Sequence, residues 1–478
     1  MSLWLAWLST DASADAQPLA TTGLAIFHRY IWVFVAAFAV TIVATPIVRR
    51  VALASGIIDR PSDPRKVHRV PVAYLGGLAV FLGIMAGTLV SYLGTAWGGL
   101  ARVYPSEHMV DGEYHAVVPV SVLLGMTIIT IVGLLDDAIG IRPGLKISGQ
   151  LVAAAALAIE NVGVRVAQGV LRPVGDALVG LGVLGSSDLV FAIPIPGLEA
   201  PIHLDVVYWA GAAVIAVFVI GACNAANLID GLDGLLTGST AITVAGLTIL
   251  ALSLAVMDHG PRDAQRLVLC LAVLGACMGF LPHNFNPASI FLGDCGSMLL
   301  GYSTIVIILT LGDMGQTHLV LAGLMMFAVP IIDAVLAIVR RRMAGTSITQ
   351  ADDQHLHHML KRALGVKGAV LAIYGITACF VALGLAMSLS RARVVYALAM
   401  IVVCYVGVTA IKISRRQHLE HQASRAGRLP DPALDPAGGG ARTEPTERRS
   451  ASATPAEGPP PRPAQHAPPA TPAERSAS

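Results

Sequence analysis

The stretch VIAVFVIGACNAANLIDGLDG, residues 214–234, places a polar motif directly after an apolar run. The segments on either side are too apolar for this motif to be the wet face of a soluble helix. On an α-helix, polar residues at this three-residue spacing would be spread over about half of the helix circumference along this length, so they are expected to share one helix face. The plainer interpretation is a polar helix terminus, with Gly231 and Gly234 as breakers. The amides and carboxylates that recur at every third position are Asn224, Asn227, Asp230 and Asp233.

The composition indicates an integral membrane protein. Of the 478 residues, 55% are hydrophobic and only 13% are charged, and the mean hydropathy is +0.69, whereas about 25% of an average soluble domain is charged. Aromatic residues make up only 5%, so the apolar mass consists of smaller side chains that suit close helix packing in lipid. The net charge of +2 favours neither a nucleic acid nor an acidic partner.

Apolar runs of bilayer-spanning length, about 17 to 23 residues, predict an all-α polytopic membrane protein with about eleven transmembrane helices. The fourth and eighth runs are the weakest of the set. The runs fall near 26–48, 74–95, 116–135, 147–163, 206–222, 236–257, 266–283, 296–311, 317–338, 367–389 and 392–412.

The remaining segments define the domain organisation. Residues 1–25 are expected to be an N-terminal extracytoplasmic segment, and residues 26–412 the transmembrane domain. The Gly- and Pro-rich segment 164–205 is expected to form a small extracytoplasmic hairpin. From about residue 413 to 478 the chain is rich in Pro, Ala, Arg, Glu and Ser, which predicts a disordered tail. The six cysteines have no paired metal spacing, so packing roles are expected.

Lys and Arg in the short loops set the expected orientation. With the N-terminus outside, the inner loops hold about twice as many basic residues as the outer loops, although Arg391 and Arg393 oppose the trend. This predicts a multi-pass protein of the inner (cytoplasmic) membrane. The polar motifs then fall on the cytoplasmic side, in residues 56–77, 133–146, 224–234, 280–297 and 340–358.

Five carboxylates lie at the predicted span ends. Asp136 and Asp137 end the third span, and Asp294 precedes the eighth; Asp230 and Asp233 open the loop before the sixth. Carboxylates at membrane ends are costly to desolvate, so each is a functional-site candidate. Several on one face repel one another unless a cation lies among them, and oxygen ligands favour Mg²⁺ or Mn²⁺. The plainer alternatives are a solvated helix end for the first pair, and a helix cap at GDCGS formed by Ser297 or Asp294.

Cationic side chains in the same loops are suited to binding phosphate oxygens. Positive-inside anchoring is the alternative explanation for the arginine run, and a zinc site is the alternative for HLHH, although no Cys lies nearby to complete it. Together with a carboxylate-held metal, these groups predict an enzyme that moves a phosphoryl group between a soluble diphosphate and a lipid. The cations are Arg60, Arg65, Lys66, His68, Lys146, Arg340, Arg341, Arg342, His355, His357 and His358.

Several motifs together resemble one family. NAANLIDGLDGL, GLLDD with a lysine ten residues after its first Asp, FNPASIFLGDCGSMLLG and ADDQHLHH are similar in order and spacing to the polyprenyl-phosphate N-acetylhexosamine-1-phosphate transferases. These form the WecA and TagO branch of the MraY superfamily, in glycosyltransferase family 4. The similarity extends from about residue 30 to 412. The MraY enzymes carry three histidines followed by an acidic residue and Gly-Trp, whereas HLHH continues here as MLKRALG.

The resemblance implies a reaction and a set of roles. It implies transfer of GlcNAc 1-phosphate from UDP-GlcNAc, a UDP-N-acetylhexosamine, to undecaprenyl or decaprenyl phosphate, with release of UMP and the start of a cell-envelope glycan. It implies Mg²⁺ held by Asp294, with Asp230 and Asp233 around the metal and nucleotide. The implied substrate contacts are Phe291 on uracil, Asn224 and Asn227 in the same pocket, Lys146 on phosphate, and His355, His357 and His358 over the sugar phosphate.

Asp136 or Asp137 is implied as the base for the lipid phosphate. The second pKa of a phosphate monoester is about 6, so a base would gain little at neutral pH, and orientation or metal support is the alternative. The sequence departs from the family pattern at Ala73, Cys295 and Thr349; the last lies in a loop that helps to select the sugar.

Other functions are less well supported by the sequence. A transporter would place its carboxylates near the bilayer midplane, often in inverted repeats, and none is evident. A CDP-alcohol phosphotransferase would need an Arg that NLIDGLDGLLTGST lacks, and a scaffold would have no use for the carboxylates. Another UDP-sugar, and a homodimer as the oligomeric state, stay open.

Overall fold

In the computed structural model of the chain, short strands and long helices form around the apolar runs. The described residues are 23–59, 71–96, 109–110, 113–114, 118–182, 189–193, 201–257, 263–343, 356–391, 393–402, 404–405, 408 and 412. All belong to a unit that covers Met1–Leu419. The predicted tail 413–478 and most of the predicted N-terminal segment 1–25 lie outside the described residues, so those domain assignments stay predictions.

The helices of this part of the chain are α1 Gly23–Ala54, α2 Gly76–Ala96, α3 Val120–Ile139, α4 Pro143–Ile159, α5 Gln168–Gly180, α6 Val206–Ile229, α7 Leu235–Val256, α8 Asp263–Asn284, α9 Gly293–Thr310, α10 Thr317–Met326, α11 Ala328–Met343, α12 Leu356–Ser388 and α13 Arg393–Val402. A short 3-10 helix, Val164–Ala167, precedes α5. The strands are β1 Ile58–Asp59, β2 Val72–Ala73, β3 Met109–Val110, β4 Glu113–Tyr114, β5 Val190–Ile193 and β6 Ile202–Asp205. They form three two-stranded antiparallel pairs in chain order.

The prediction of an all-α polytopic membrane protein is confirmed. Within the described residues, eight helices are long and apolar enough to cross a membrane, or up to ten if each of two bent pairs is one span. The eleventh apolar run, 392–412, contains α13, which is shorter than the others. The helix count of the described part therefore approaches, and does not reach, the predicted eleven.

The fourth and ninth runs do not form straight spans. Helix α4 and the segment from the 3-10 helix through α5 are bent by 83°, and α10 and α11 are bent by 79°. Pro330 explains the second bend, because it has no N–H to donate to the carbonyl of Met326, four residues earlier. The predicted hairpin in 164–205 is present as β5 and β6, whose register pairs Val190 with Asp205. The helical turns of α5 were not predicted.

Helix α9 lies at the centre of the bundle. Within its apolar window 94% of residues are buried, against 28% for α1 and for α6. Glycines bring its neighbours into close contact: a Cβ on Gly77 of α2 would lie 2.1 Å from the amide nitrogen of Gly296, and one on Gly301 would lie 2.4 Å from the carbonyl oxygen of Ala222 in α6. The start of α9 is therefore held at a fixed depth among the ends of the surrounding helices.

The cysteines form no disulfide, as predicted, but the predicted packing role fits only four of them, since Cys379 and Cys404 are exposed. All six are free thiols, and four of them are buried in the helix bundle: Cys223, Cys270, Cys277 and Cys295.

Candidate active site

A lysine joins two carboxylates from different helices. The Lys146 ammonium, in the first turn of α4, lies 2.6 Å from Asp136 Oδ2 and 2.5 Å from Asp294 Oδ2. The short α3–α4 connection sets this position, because Asp136 Oδ1 accepts a hydrogen bond from the Ile141 amide at 2.9 Å and Pro143 begins α4. Helices α3, α4 and α9 therefore meet at one charged cluster.

Asp137 binds the backbone at the start of α9. The Asp294 amide donates to Asp137 Oδ1 at 2.8 Å, and the Cys295 amide donates to Asp137 Oδ2 at 3.1 Å. The first amides of a helix have no acceptor within the helix, so this carboxylate from α3 caps α9. Gly293 makes room for it: its φ is +72°, and a Cβ there would lie 2.5 Å from Asp137 Oδ2.

The plainer prediction of Ser297 or Asp294 as the N-cap of α9 is wrong. Leu292 occupies that position without a side-chain cap, and Asp294 lies inside the first turn. The Ser297 hydroxyl instead donates to Asn227 Oδ1 at 3.1 Å, and Asn227 Nδ2 donates to Asp294 Oδ2 at 3.1 Å. Asn227 thus connects the end of α6 to the cluster.

Asn224 faces a different neighbour. Its Nδ2 donates to Gln150 Oε1 at 2.9 Å and to the Ile220 carbonyl oxygen at 2.8 Å. Gln150 is fully buried in α4, so Asn224 joins α6 to α4 one turn deeper than Asn227. Its predicted contact with substrate stays a prediction.

The predicted single helix face for the NAANLIDGLDG motif is wrong. Helix α6 ends at Ile229, and the chain then turns before α7. Gly234, with φ +77°, allows this turn, as expected of a glycine in the left-handed region. Asp230 is the C-cap of α6, and Asp233 lies in the turn beyond it, so the four polar residues are divided between a helix and the turn that follows it.

Asp233 supports the loop that precedes α9. Its Oδ2 accepts hydrogen bonds from Asn286 Nδ2 at 2.9 Å and from the Ala288 amide at 3.0 Å. Asp230 accepts no hydrogen bond from the described residues. Burial, and after it the carboxylates of Asp294, Asp137 and Asp233 in that order of effect, together raise the pKa of Asp230 to about 8. The cluster therefore carries more negative charge than Lys146 offsets.

Phe291 and Tyr74 form an aromatic pair beside the carboxylates. Their ring centroids lie 6.0 Å apart, with the planes inclined by 59°. Backbone pairing fixes both residues, because the Phe291 amide donates to the Ala73 carbonyl oxygen at 2.9 Å and the Gly76 amide donates to that of Phe291 at 3.0 Å. Tyr74 was not predicted as a site residue, because a single tyrosine among apolar residues gives no pattern.

Burial raises the pKa of Tyr74 above its ordinary value, so its hydroxyl keeps a proton and can donate. The carboxylates that add to this shift are Asp59, Asp137, Asp294 and Asp230.

The predicted histidines and arginines are placed unevenly. His357 is 2% exposed and lies against the Asp230–Asp233 turn, since a Cβ on Gly231 would be 2.3 Å from its Nε2. His358 follows in α12. Arg340 and Arg341 lie in the last turn of α11, and α11 packs against α6. Arg342 lies in the same turn. The other predicted cations lie outside the described residues: Arg60, Arg65, Lys66, His68 and His355.

The cluster fits a hard divalent cation by its donor chemistry. Asp294 and Asp230 offer carboxylate oxygens, which Mg²⁺ and Mn²⁺ prefer. Burial, and then the neighbouring carboxylates, raise the pKa of Asp230, and a bound cation would favour its charged form. Within the described residues, no three His, Cys, Asp or Glu side chains are grouped as a ready-made metal site. A metal would share Asp294 with Lys146 and Asn227.

The fold and this cluster define a multi-pass membrane protein whose helix ends gather carboxylates, amides and a bridging lysine. The model of the family described as "Glycosyl transferase family 4" matches residues 119–312, a stretch that contains all five predicted carboxylates. The chain belongs to this family, in the branch of the polyprenyl-phosphate N-acetylhexosamine-1-phosphate transferases, which confirms the resemblance seen in the motifs.

Named relatives cover most of the chain. The "Probable undecaprenyl-phosphate N-acetylglucosaminyl 1-phosphate transferase" of Bacillus subtilis (strain 168) is 32% identical over 72% of this chain and 81% of its own. The "Decaprenyl-phosphate N-acetylglucosaminephosphotransferase" of Mycolicibacterium smegmatis is 32% identical over 77% of this chain and 82% of its own. A "Phospho-N-acetylmuramoyl-pentapeptide-transferase" of Bacillus cytotoxicus is 26% identical over 66% of this chain and 83% of its own. Identity is thus higher to the GlcNAc-phosphate transferases.

Proposed function

We propose that this protein transfers GlcNAc 1-phosphate from UDP-GlcNAc to undecaprenyl or decaprenyl phosphate and releases UMP. The observation that carries the proposal is the ammonium of Lys146 held between Asp136 and Asp294, at the ends of three helices. The names of the relatives that are 32% identical over most of their length support the donor and the acceptor.

In the proposed reaction, an oxygen of the lipid phosphate attacks the β-phosphorus of UDP-GlcNAc. The bond between that phosphorus and the bridging oxygen breaks, and the bridging oxygen leaves with UMP. The lipid phosphate is largely a dianion at neutral pH, since its second pKa is about 6, so no proton has to be removed. Phosphoryl transfer of this kind depends mainly on positioning and on stabilisation of charge.

The residues of the cluster supply both requirements. Lys146 is a positive point charge for phosphate oxygens, and Asp136 and Asp294 hold its ammonium in place. Asn227 orients the shared Asp294 oxygen. The ring of Phe291 offers a face for uracil, as the family resemblance implies, and His357 lies over the Asp230–Asp233 turn, where the sugar phosphate would enter.

We include Mg²⁺ in the proposal, with Mn²⁺ as the alternative. Asp294 and Asp230 would hold the ion, and Asp233 would contribute mainly through the loop it supports. When bound, the ion supplies neutralisation of the diphosphate and of charge on the leaving phosphate.

The site is proposed to face the cytoplasm at the inner membrane. Basic residues at the same end of the bundle support this orientation: Arg49 Nε at the end of α1 donates to the Ser289 carbonyl oxygen at 2.9 Å, in the loop that Asp233 supports. Arg340 and Arg341 end α11. A UDP-sugar would then reach the cluster from the side where nucleotides are made. A homodimer stays an untested prediction.

Purified protein with polyprenyl phosphate, Mg²⁺ and a panel of UDP-sugars tests the proposed function. We expect UMP release and a lipid-linked sugar diphosphate with UDP-GlcNAc, and none when Mg²⁺ is chelated. A preference for UDP-GalNAc or UDP-MurNAc-pentapeptide would correct the donor alone. No UMP from any donor, in a preparation that is folded and contains the lipid, would overturn the reaction.

The Tyr74 hydroxyl is expected to contribute to donor binding. Since it stays protonated beside Phe291, it is placed to donate to a diphosphate or ribose oxygen. We expect Tyr74→Phe to raise KM for UDP-GlcNAc about fivefold, the effect of one lost hydrogen bond, with little change in kcat. Steady-state kinetics of UMP release measure this. Tyr208→Phe is the matched control, because Tyr208 lies at the start of α6, at the end of that helix far from the cluster. Equal KM values for Tyr74→Phe and wild type would remove Tyr74 from the donor site.

A further inference from the structure

We infer that Asp137 is a positioning residue, which holds the first turn of α9 so that the Asp294 carboxylate meets Lys146, and that it is not a base. The activity measurement that tests this inference rests on the proposed function. The position of α9 is tested by a second measurement that does not depend on the reaction.

Both oxygens of Asp137 are already engaged. They accept from two consecutive amides, Asp294 N–H at 2.8 Å and Cys295 N–H at 3.1 Å. A general base must lie within hydrogen-bond reach of the proton that it removes. The Asp137 oxygens are aimed at the backbone instead, and each is committed to one amide of α9.

The surrounding backbone leaves this arrangement no slack. Position 293 requires a glycine for two reasons. Its φ is +72°, in the left-handed region, and a Cβ there would lie 2.5 Å from Asp137 Oδ2. On α3, a Cβ at Gly133 would lie 2.3 Å from Cys295 Cα. The helix that carries Asp137 thus contacts the start of α9 at two levels, one turn apart.

The adjacent carboxylate has a separate task. Asp136 binds the Ile141 amide and the Lys146 ammonium, so it sets the position of the lysine, while Asp137 sets the position of Asp294. The lysine that Asp136 positions and the carboxylate that Asp137 positions then contact each other as the Lys146–Asp294 ion pair. The pair therefore fixes both partners of one ion pair from a single turn of α3.

The test compares Asp137→Asn with Asp137→Ala. Asn keeps an oxygen acceptor and is as effective as Asp at a helix cap, whereas Ala is not. A positioning role predicts that Asn retains kcat within about fivefold of wild type and that Ala loses about thirtyfold, the rate equivalent of a lost cap. KM for UDP-GlcNAc is expected to change less than kcat in both. A base role predicts that both variants lose more than about a hundredfold.

Amide hydrogen exchange provides a readout that is independent of activity. In Asp137→Asn without substrates, we expect faster exchange at the amides of residues 294 and 295, because one of them loses its acceptor. The matched control is Asp205→Asn, which changes the carboxylate that caps α6 through the Tyr208 amide at 2.9 Å; it should leave exchange at 294 and 295 and UMP release unchanged.

Unchanged exchange at those two amides in Asp137→Asn would overturn the inference, as would equal, near-complete losses of activity in Asn and Ala. If Asp137→Ala is not recovered folded, the isosteric Asp137→Asn decides through exchange alone. If wild-type protein releases no UMP from any donor, the proposed function fails, and the exchange measurement still decides the position of α9.

Discussion

Asp294→Asn is expected to lower kcat for UMP release by about a thousandfold, the scale of losing a main electrostatic contact in a charged transition state. The Asp294 Oδ2 atom receives both the Lys146 ammonium and the Asn227 amide. An amide at this position preserves shape, but it removes the charge that holds Lys146 and the carboxylate proposed to bind Mg²⁺. Raising Mg²⁺ is not expected to restore the rate.

Activity and folding have to be measured together for this variant. The control is again Asp205→Asn, which exchanges a carboxylate for an amide at the start of α6. Helix α6 has 24 residues, so at 1.5 Å per residue its two ends lie about 36 Å apart. Thermal unfolding in detergent checks that both variants are folded. Retention of kcat within about threefold by folded Asp294→Asn would remove Asp294 from the reaction.

Much of the architecture was predictable because the lipid environment imposes a simple rule. A span needs about 20 apolar residues, so runs of that length identify helices without knowledge of their packing. The bends were less accessible. Met326 and Ala328 both lie in an unbroken apolar run, and only Pro330 signals that the helix stops before it.

The gathering of the carboxylates was predicted from the side of the membrane on which each motif falls. Asp136, Asp230 and Asp294 do meet at one cluster, although their chemical roles stay predictions. What each oxygen binds could not be predicted, because the partners are distant in sequence. Asp137 and the amide of Asp294 are separated by 157 positions, and no local pattern indicates that a carboxylate on α3 caps α9.

Asp233 illustrates the limit of helical periodicity. The three-residue spacing from Asn224 suggested one face, but Gly231 and Gly234 end the helix before that face is complete. Asp233 is consequently in a turn, where it binds Asn286 and Ala288. The sequence already identified these glycines as helix breakers. In the structure they end the helix, and the three-residue spacing does not continue it.

Gly133→Ala is expected to reduce both stability and turnover, because the start of α9 approaches α3 too closely for a side chain. The added Cβ would lie 2.3 Å from Cys295 Cα and 2.6 Å from Cys295 N. These are backbone atoms that cannot rotate away, so α9 has to shift. Overpacking of this kind costs about 1–3 kcal/mol, and a displacement of about 1 Å at reacting groups can cost about a hundredfold in rate.

The matched control for this change is Gly221→Ala on α6, where a Cβ would meet nothing within 4 Å. Since Ala is favoured over Gly in a helix interior by about 1 kcal/mol, Gly221→Ala should melt at or above the wild-type temperature and keep full activity. Gly133→Ala should melt lower and release UMP about a hundredfold more slowly. The contact between α3 and α9 carries both consequences, because the same two amides that Asp137 caps lie beside Gly133. Wild-type melting and kinetics in Gly133→Ala would show that α9 can move without disturbing Asp294, and would contradict the close packing on which the alignment of Asp294 with Lys146 depends.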